Sequence, residues 1–211
     1  IWRFISPIFL HFGVANKDFI NAKKISLLYI GTFSGRNLDV VLRGLSLFLS
    51  DNPQAKNIEL HMVGDGYNNE LEELSLLSKS LNLTEYVTFH GRVPYNQTAH
   101  FFEKCNVGVS FVPKTPFFDV QPVTKTYEYI AAGMPVIATS TTENNMLITN
   151  EEIGELCNDN DISFSHAITN IVKNFEQYNS SYIKDQSGDW SWNKICQGLS
   201  FVISEIKYVN K

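Results

Sequence analysis

What most constrains this chain is a repeated change of hydrophobic period. A short apolar run, Ile25–Ile30, ends at Gly31 and the turn-forming Ser34, Gly35 and Asn37. Leu38, Val41, Leu42, Leu45, Phe48 and Leu49 then recur at helical spacing until Asp51-Asn52-Pro53 stops the run. Ile58–Val63 repeats the pattern, closed by Gly64-Asp65-Gly66 and followed by the stripe Leu71, Leu74, Leu77 and Leu81. The same reading predicts strands at 87–89, 107–112, 135–138 and 153–156, and helices at 98–105, 125–132 and around 162–175. Strands alternating with helices need crossover connections, so the expected class is α/β: a doubly wound, mostly parallel sheet. Ligands bind such sheets beyond the carboxyl ends of the strands, where the loops after Ile30, Val63, Phe89, Val112 and Ala138 should share one edge.

Composition narrows the partners. With 44% hydrophobic and 18% charged residues, the 211-residue chain can bury a core and is not disordered or fibrous. Seventeen Lys and Arg against twenty-two Asp and Glu give a net charge of −5, which argues against a general nucleic-acid binder but allows a local basic pocket. Cys105, Cys157 and Cys196 are odd in number and form no Cys-x-x-Cys pair, so a reducing cytoplasm is expected and no disulfide framework. Asn82, Asn96 and Asn179 begin N-x-[ST] triplets, read as chance in an Asn-rich chain. No apolar stretch reaches the roughly 18 residues of a membrane span. The chain begins with Ile, which suggests that it was cut from something longer. Residues 1–24 read as a linker with the remnant of a preceding domain, 25–185 as the α/β domain, and 186–211 as a terminal helix with the stripe Ile195, Leu199, Val202, Ile203, Ile206 and Val209.

Two junctions carry the ingredients of chemistry. Gly31-Thr32-Phe33-Ser34-Gly35-Arg36-Asn37 joins two glycines, a cation and a helix start, which suit an anion such as phosphate; turn formation alone would also explain the glycines. There is neither a G-x-G-x-x-G dinucleotide fingerprint nor a G-x-x-x-x-G-K-[ST] loop, so nicotinamide hydride transfer and P-loop hydrolysis drop out. At the second junction a helix starting near Thr124 would point free N–H groups at the same edge. Glu128, one turn later, offers an acceptor for sugar hydroxyls or simply complements the helix dipole. The five histidines, of which His90 lies nearest a loop of interest, read as structural, and the run Glu70, Glu72 and Glu73 as a solvated helix face. No histidine pair stands at ligand spacing, so metal dependence is not implied.

Residues 25–175, with Val63-Gly64-Asp65-Gly66, Phe89-His90-Gly91-Arg92-Val93 and the run from Glu128 through Gly133-Met134-Pro135 to Ile137, resemble the C-terminal domain of a GT4-type (group 1) retaining glycosyltransferase. The resemblance implies a GT-B enzyme with two Rossmann-like halves, of which this one binds a nucleotide-sugar donor. UDP-sugar is the first expectation, with GDP- and ADP-sugars as the others, and no separate cofactor or metal. Residues 12–19 resemble the family's interdomain crossing, and the helix after Trp192 the one returning toward the N-terminal domain. Position by position, the resemblance implies that Arg36 clamps the donor diphosphate, that Gly31 ends the first strand, and that Glu128 is the second glutamate of an E-x7-E motif, on the ribose. Arg92 and Val93 fall at the nucleobase loop, and Thr124 and Lys125 at the helix start that meets the phosphates.

Two positions depart from the family. Thr32 stands where a second diphosphate cation is usual, leaving Arg36 alone or with Lys125. Val120 replaces the first glutamate of E-x7-E, which makes its neighbour Asp119 the candidate for the donor sugar. The form Pro122-x-x-Lys125-x-x-Glu128-Tyr129 resembles a recurrent variant of the family, so divergence rather than loss of function is expected. The resemblance implies a hexosyltransferase building a bacterial polysaccharide or glycolipid in the cytoplasm, at the inner face of the plasma membrane where the acceptor is lipid-linked. The acceptor would be held by the absent N-terminal domain, without which this half is expected to be inactive. A GT-B nucleotide-sugar epimerase and a non-catalytic α/β binding module stand as the alternatives.

Overall fold

The computed structural model describes residues 15–188, together with Cys196 and Ser200. Residues 1–14, Trp190, Trp192 and the stripe from Ile195 to Val209 lie outside the described residues. Six strands, β1 (Ile25–Ile30), β2 (Ile58–Val63), β3 (Val87–Gly91), β4 (Val107–Ser110), β5 (Val136–Thr139) and β6 (Gly154–Cys157), form one sheet in the order β3-β2-β1-β4-β5-β6. Every pairing is parallel. The chain runs outward from β1 to β3, crosses back, and starts again at β4 on the other side of β1. Right-handed crossovers in opposite directions place α1 (Leu38–Asp51) and α2 (Glu70–Ser80) on one face and α5 (Thr124–Ala131) on the other. The loops after β1 and β4 therefore part at the switch point, which opens a crevice there.

The central strands are apolar because both faces are covered: Leu27, Leu28 and Tyr29 of β1 and Val107 and Val109 of β4 are fully buried. α3 (Thr98–Lys104) lies between β3 and β4 in the chain, and α7 (Asp161–Asn174) packs on α1 and on β6. Gly108 is what lets α5 sit down on β4. A Cβ there would lie 2.2 Å from the Tyr129 ring, so the glycine makes room for the aromatic side chain that braces the first loop, as described below.

Element bounds shift for local reasons. The strand expected at 107–112 leaves the ladder after Ser110, although Phe111 and Val112 stay buried, because the Val112 N–H donates to Thr139 Oγ1 instead of a neighbouring strand. β5 starts at Val136 rather than at Pro135, which has no N–H to give. Three short helices were not expected: α4 (Pro116–Asp119), α6 (Thr142–Leu147) and α8 (Ser180–Asp185). α6 is polar in sequence and carries no apolar stripe. It is specified by the Thr141 side chain accepting from Asn144 N–H and by the buried Asn144 amide donating to Thr139 O.

Under α3 the polar residues of the sheet form a chain. The Glu59 carboxylate accepts from Lys24 Nζ at 2.8 Å and Ser26 Oγ at 2.7 Å and faces His61 Nε2 at 3.2 Å. His61 Nδ1 in turn lies 2.9 Å from His90 Nε2. Burial opposes the charge on Glu59, but these three hydrogen bonds win and hold the carboxyl at about 2. It is therefore an acceptor at neutral pH, which puts the His61 proton on Nε2 and makes His90 Nε2–H the donor to His61 Nδ1. Burial holds both imidazoles below the ordinary histidine value; Lys104 and, for His90, His61 and His100 push the same way, whereas Glu59 opposes this at His61. The folded chain thus binds fewer protons here than the unfolded one, and stability present above about pH 6.5 is lost as the pH falls. In a Glu128→Gln background, which removes a buried carboxyl that titrates in the opposite sense over this range, urea unfolding at pH 7.5 and 5.5 should show a lower midpoint at the acid value, with a smaller drop when His90→Asn is added. An equal drop in both chains would place the acid sensitivity elsewhere.

Candidate functional site

The three loops at the carboxyl ends of β1, β2 and β3 are stitched together by backbone bonds. Gly31 N donates to Val63 O at 2.9 Å, Phe33 N to Asp65 O at 2.9 Å, and Gly64 N to Gly91 O at 2.8 Å. Two buried tyrosines fix the turn from below: Tyr29 Oη donates to Thr32 O at 2.7 Å, and Tyr129 Oη accepts from Ile30 N at 3.1 Å. Glu70 ties the loops from above, accepting from Ser34 Oγ at 2.6 Å and from Asn68 N at 2.5 Å. The reading of Glu70 as part of a solvated acidic face is therefore corrected: its carboxylate bridges the two loops.

Above this platform lie two adjoining clefts, of about 480 and 310 Å³. Both are walled by Ile30, Gly31, Thr32, Tyr95 and Thr98. They are two lobes of one trough. The larger lobe runs past Gly64, Gly66 and Tyr67 to the exposed Arg92 and half-buried Val93. The smaller ends on Arg36, Thr124, Lys125 and Glu128. Seven of the eight residues expected at a site thus line this trough. Asp119 lies in neither lobe. Its carboxylate accepts from Thr142 N at 3.1 Å and Thr142 Oγ1 at 2.7 Å, which holds it below its ordinary value, and Val120 beside it is exposed.

The electrostatics of the smaller lobe are unbalanced. Lys125 is only 8% exposed, and its Nζ makes no hydrogen bond. The ammonium lies 3.8 Å from the Tyr29 ring centroid, and a Cβ on Gly31 would stand 3.4 Å from it. Burial first and Arg36 second push Lys125 down to about 7, with Glu128 opposing. Burial pushes Glu128 up to about 7, against the pull of Lys125. The Arg36 guanidinium lies 4.6 Å from the Phe118 ring centroid, and its buried Nε has no hydrogen-bond partner. Neither α1 nor α5 has a side chain capping its N-terminal N–H groups. Buried donors without partners cost stability, and an anion is the group that would supply acceptors to these two cations at the open start of α5. Lys125 reaches from α5 to the end of β1, beside Gly31 and Thr32.

Sequence reasoning did not single out Tyr95 and Thr98, which stand where the lobes meet. The only pointer was their place a few residues past Gly91-Arg92-Val93. It also passed over an Asp-x-Asp triplet, Asp159–Asp161. Asp159 Oδ2 accepts from Lys114 N and Asp161 Oδ1 from Ile162 N, and among the described residues no cluster of three His, Cys, Asp or Glu side chains is arranged to hold a metal.

The family model described as Glycosyl transferases group 1 matches residues 24–174. The chain belongs to this family. Solved structures agree on the fold of this group 1 glycosyltransferase domain. It is similar to sucrose-phosphate synthase from Thermosynechococcus elongatus, at 20% identity and TM-score 0.67 over 89% of this chain and 47% of that one. HepE of Anabaena, solved in complex with UDP and glucose, matches at 16% identity and TM-score 0.67, over 87% and 49%. The C-terminal domain of a glycosyl transferase group 1 family protein from Francisella tularensis matches at 14% identity and TM-score 0.64, over 79% and 86%. The group 1 domain thus spans about half the length of the first two and most of a C-terminal domain. No curated protein sequence matches it significantly. Among the described residues no helix is long and apolar enough to cross a membrane.

Proposed function

We propose that this chain is the donor-binding half of a retaining group 1 glycosyltransferase, transferring a hexose from a nucleoside diphosphate sugar to a glycan or lipid-linked acceptor. The observation that carries the reading is the buried, unbonded Lys125 ammonium facing the same lobe as Arg36 and Glu128. A diphosphate supplies the anionic partner that both cations and both helix N-termini lack. Glu128 then accepts from the ribose, and the base lies toward Arg92 and Val93. UDP is the favoured nucleotide, since structural relatives were solved with UDP. Asp119 is assigned to the sugar side, where its bonds to Thr142 fix the start of α6.

In the reaction the bond from the anomeric carbon to the diphosphate oxygen breaks, and the electron pair leaves on that oxygen. Arg36, Lys125 and the N-termini of α1 and α5 stabilise the developing charge, which is the role preorganised donors fill best in a water-poor cleft. The acceptor hydroxyl forms the new bond on the same face, and its proton passes to the departing phosphate. The donor domain is assigned to residues 25–185, the acceptor to the other half of a GT-B enzyme, and the whole to bacterial polysaccharide or glycolipid synthesis at the cytoplasmic face of the plasma membrane.

Calorimetric titration of the chain with UDP, GDP and ADP in EDTA tests the reading. One nucleotide should bind, and Arg36→Ala and Glu128→Ala should each weaken it at least tenfold, or about 1.4 kcal/mol. A folded chain that takes up none of the three overturns it.

A further inference from the structure

The two lobes meet at a waist whose floor is Ile30, Gly31 and Thr32 and whose wall is Tyr95 and Thr98. Resting on the donor reading above, the geometry decides what crosses that waist. Two cations, Arg36 and the buried Lys125, line one lobe, whereas the other has the single exposed cation Arg92 beside Val93. A nucleoside diphosphate laid along the trough with its phosphates on the cations must carry its ribose over Gly31, beneath Tyr95.

We propose that Tyr95 is a positioning residue for the donor, packing its ring against the ribose at the waist and so setting the angle between base and diphosphate. Three observations favour it. First, Tyr95 lines both lobes and is half exposed, at 53%. Second, its backbone is held although its ring is not buried. The single 3-10 turn Tyr95–Gln97 follows Pro94, the Gln97 N–H donates to Pro94 O, and Thr98 Oγ1 donates to Tyr95 O at 2.7 Å. A ring on such a fixed turn loses little entropy on contact with a ligand. Third, Glu128, which takes the ribose in the reading above, lines the smaller lobe together with Tyr95. A tyrosine has the amphipathic form this position needs, an apolar ring that can pack on a sugar face at the border of water.

The test compares two probes on the intact chain by calorimetry: UDP, and inorganic pyrophosphate, which keeps the charge but has no ribose or base. Tyr95→Ala should weaken UDP about tenfold or more and leave pyrophosphate within twofold, and Tyr95→Phe should recover most of the loss. Because the side chain is half exposed, the thermal midpoint should stay within a few degrees, which separates this from unfolding. UDP binding unchanged in Tyr95→Ala overturns the proposal, as does an equal loss of both probes, which would make Tyr95 a part of the wall only. A wild-type chain that binds none of UDP, GDP and ADP removes the donor reading and this proposal with it, an outcome distinct from the other two.

Discussion

Lys125→Met is expected to make the free protein more stable and to abolish nucleotide binding. The wild-type ammonium is removed from water without a hydrogen bond, beside Arg36, on the face of Tyr29. A group pushed from 10.5 down to about 7 disfavours its charged form by several kcal/mol, on the order of 1.4 per unit. Methionine keeps the buried aliphatic stem, makes a favourable sulfur contact with the tyrosine ring and carries no charge to desolvate. At pH 7 the variant should unfold at a higher temperature than wild type, by a few degrees. The sign is checked by pH. The folded value lies below the unfolded one, so between about 7 and 10.5 the unfolded chain holds the extra proton and wild-type stability climbs with pH. That climb should be missing in Lys125→Met. With UDP at 100 times its Kd, wild type gains about 2.7 kcal/mol of stability, whereas the variant, its affinity reduced by a hundredfold or more, gains almost nothing. Retention of UDP affinity, or a lower midpoint than wild type without ligand, would refute this account of the lysine.

Glu128 explains why such an arrangement persists. Its folded value is raised to about 7, so the stability it contributes is present below its ordinary value and lost as the pH rises through that window. Lysine and glutamate together leave the free site least favourable near neutral pH, where neither charge has a full partner. An anion beside Lys125 and hydroxyls beside Glu128 favour the charged form of both groups. The free protein is thus destabilised at the place that a ligand relieves, the usual exchange between stability and function at binding sites.

How far the sequence foretells this depends on what each signal reports. The Ile25–Ile30 and Ile58–Val63 runs are continuous and apolar because both faces of the central strands are covered, so periodicity finds them to the residue. Helices with an apolar stripe, such as Leu38–Asp51, are legible for the same reason. α6 is not, because its fully buried Asn144 is held by hydrogen bonds with Thr126 and Thr139, which leave no hydrophobic period. At the site, Arg36, Lys125 and Glu128 were readable as types in a glycine-bearing context. Their convergence was not, since it depends on α5 descending onto Gly108 and on Tyr29 lying beneath the ammonium. Tyr95 was invisible because nothing in its local sequence separates a tyrosine on a trough wall from one on open surface. Glu70 was misread because a carboxylate that bridges two loops looks, along the chain, like any other charge in a helix's first turn.

Gly64→Ala is expected to unfold the domain or, where it folds, to remove nucleotide binding without touching a charged group. Gly64 has φ +139°, a conformation that a side chain resists, and it stands between two loops rather than at a free turn. A Cβ built there would come 1.8 Å from the Gly31 carbonyl oxygen, and 3.2 Å from the Phe33 ring. The first obstacle is backbone, so no rotamer change relieves it. Gly31 is also pinned on both sides, by its N–H on Val63 O and by Tyr129 on the preceding residue, and Gly64 N–H is committed to Gly91 O. The loops must separate, which breaks at least one of these bonds and displaces Gly31, the floor shared by both lobes. Backbone strain of about 1 to 3 kcal/mol, added to the lost bonds and the gap opened over Phe33, takes much of the roughly 5 to 15 kcal/mol that holds a domain together. Urea unfolding should show a midpoint lowered by a third or more. Gly35→Ala is the control, since Gly35 also has positive φ, at +67°, but has nothing within 4 Å of a Cβ. It should lose only about 1 kcal/mol and keep UDP affinity within a few fold. Equal losses in the two variants would mean that strain alone, and not the contact between the β1 and β2 loops, governs the result.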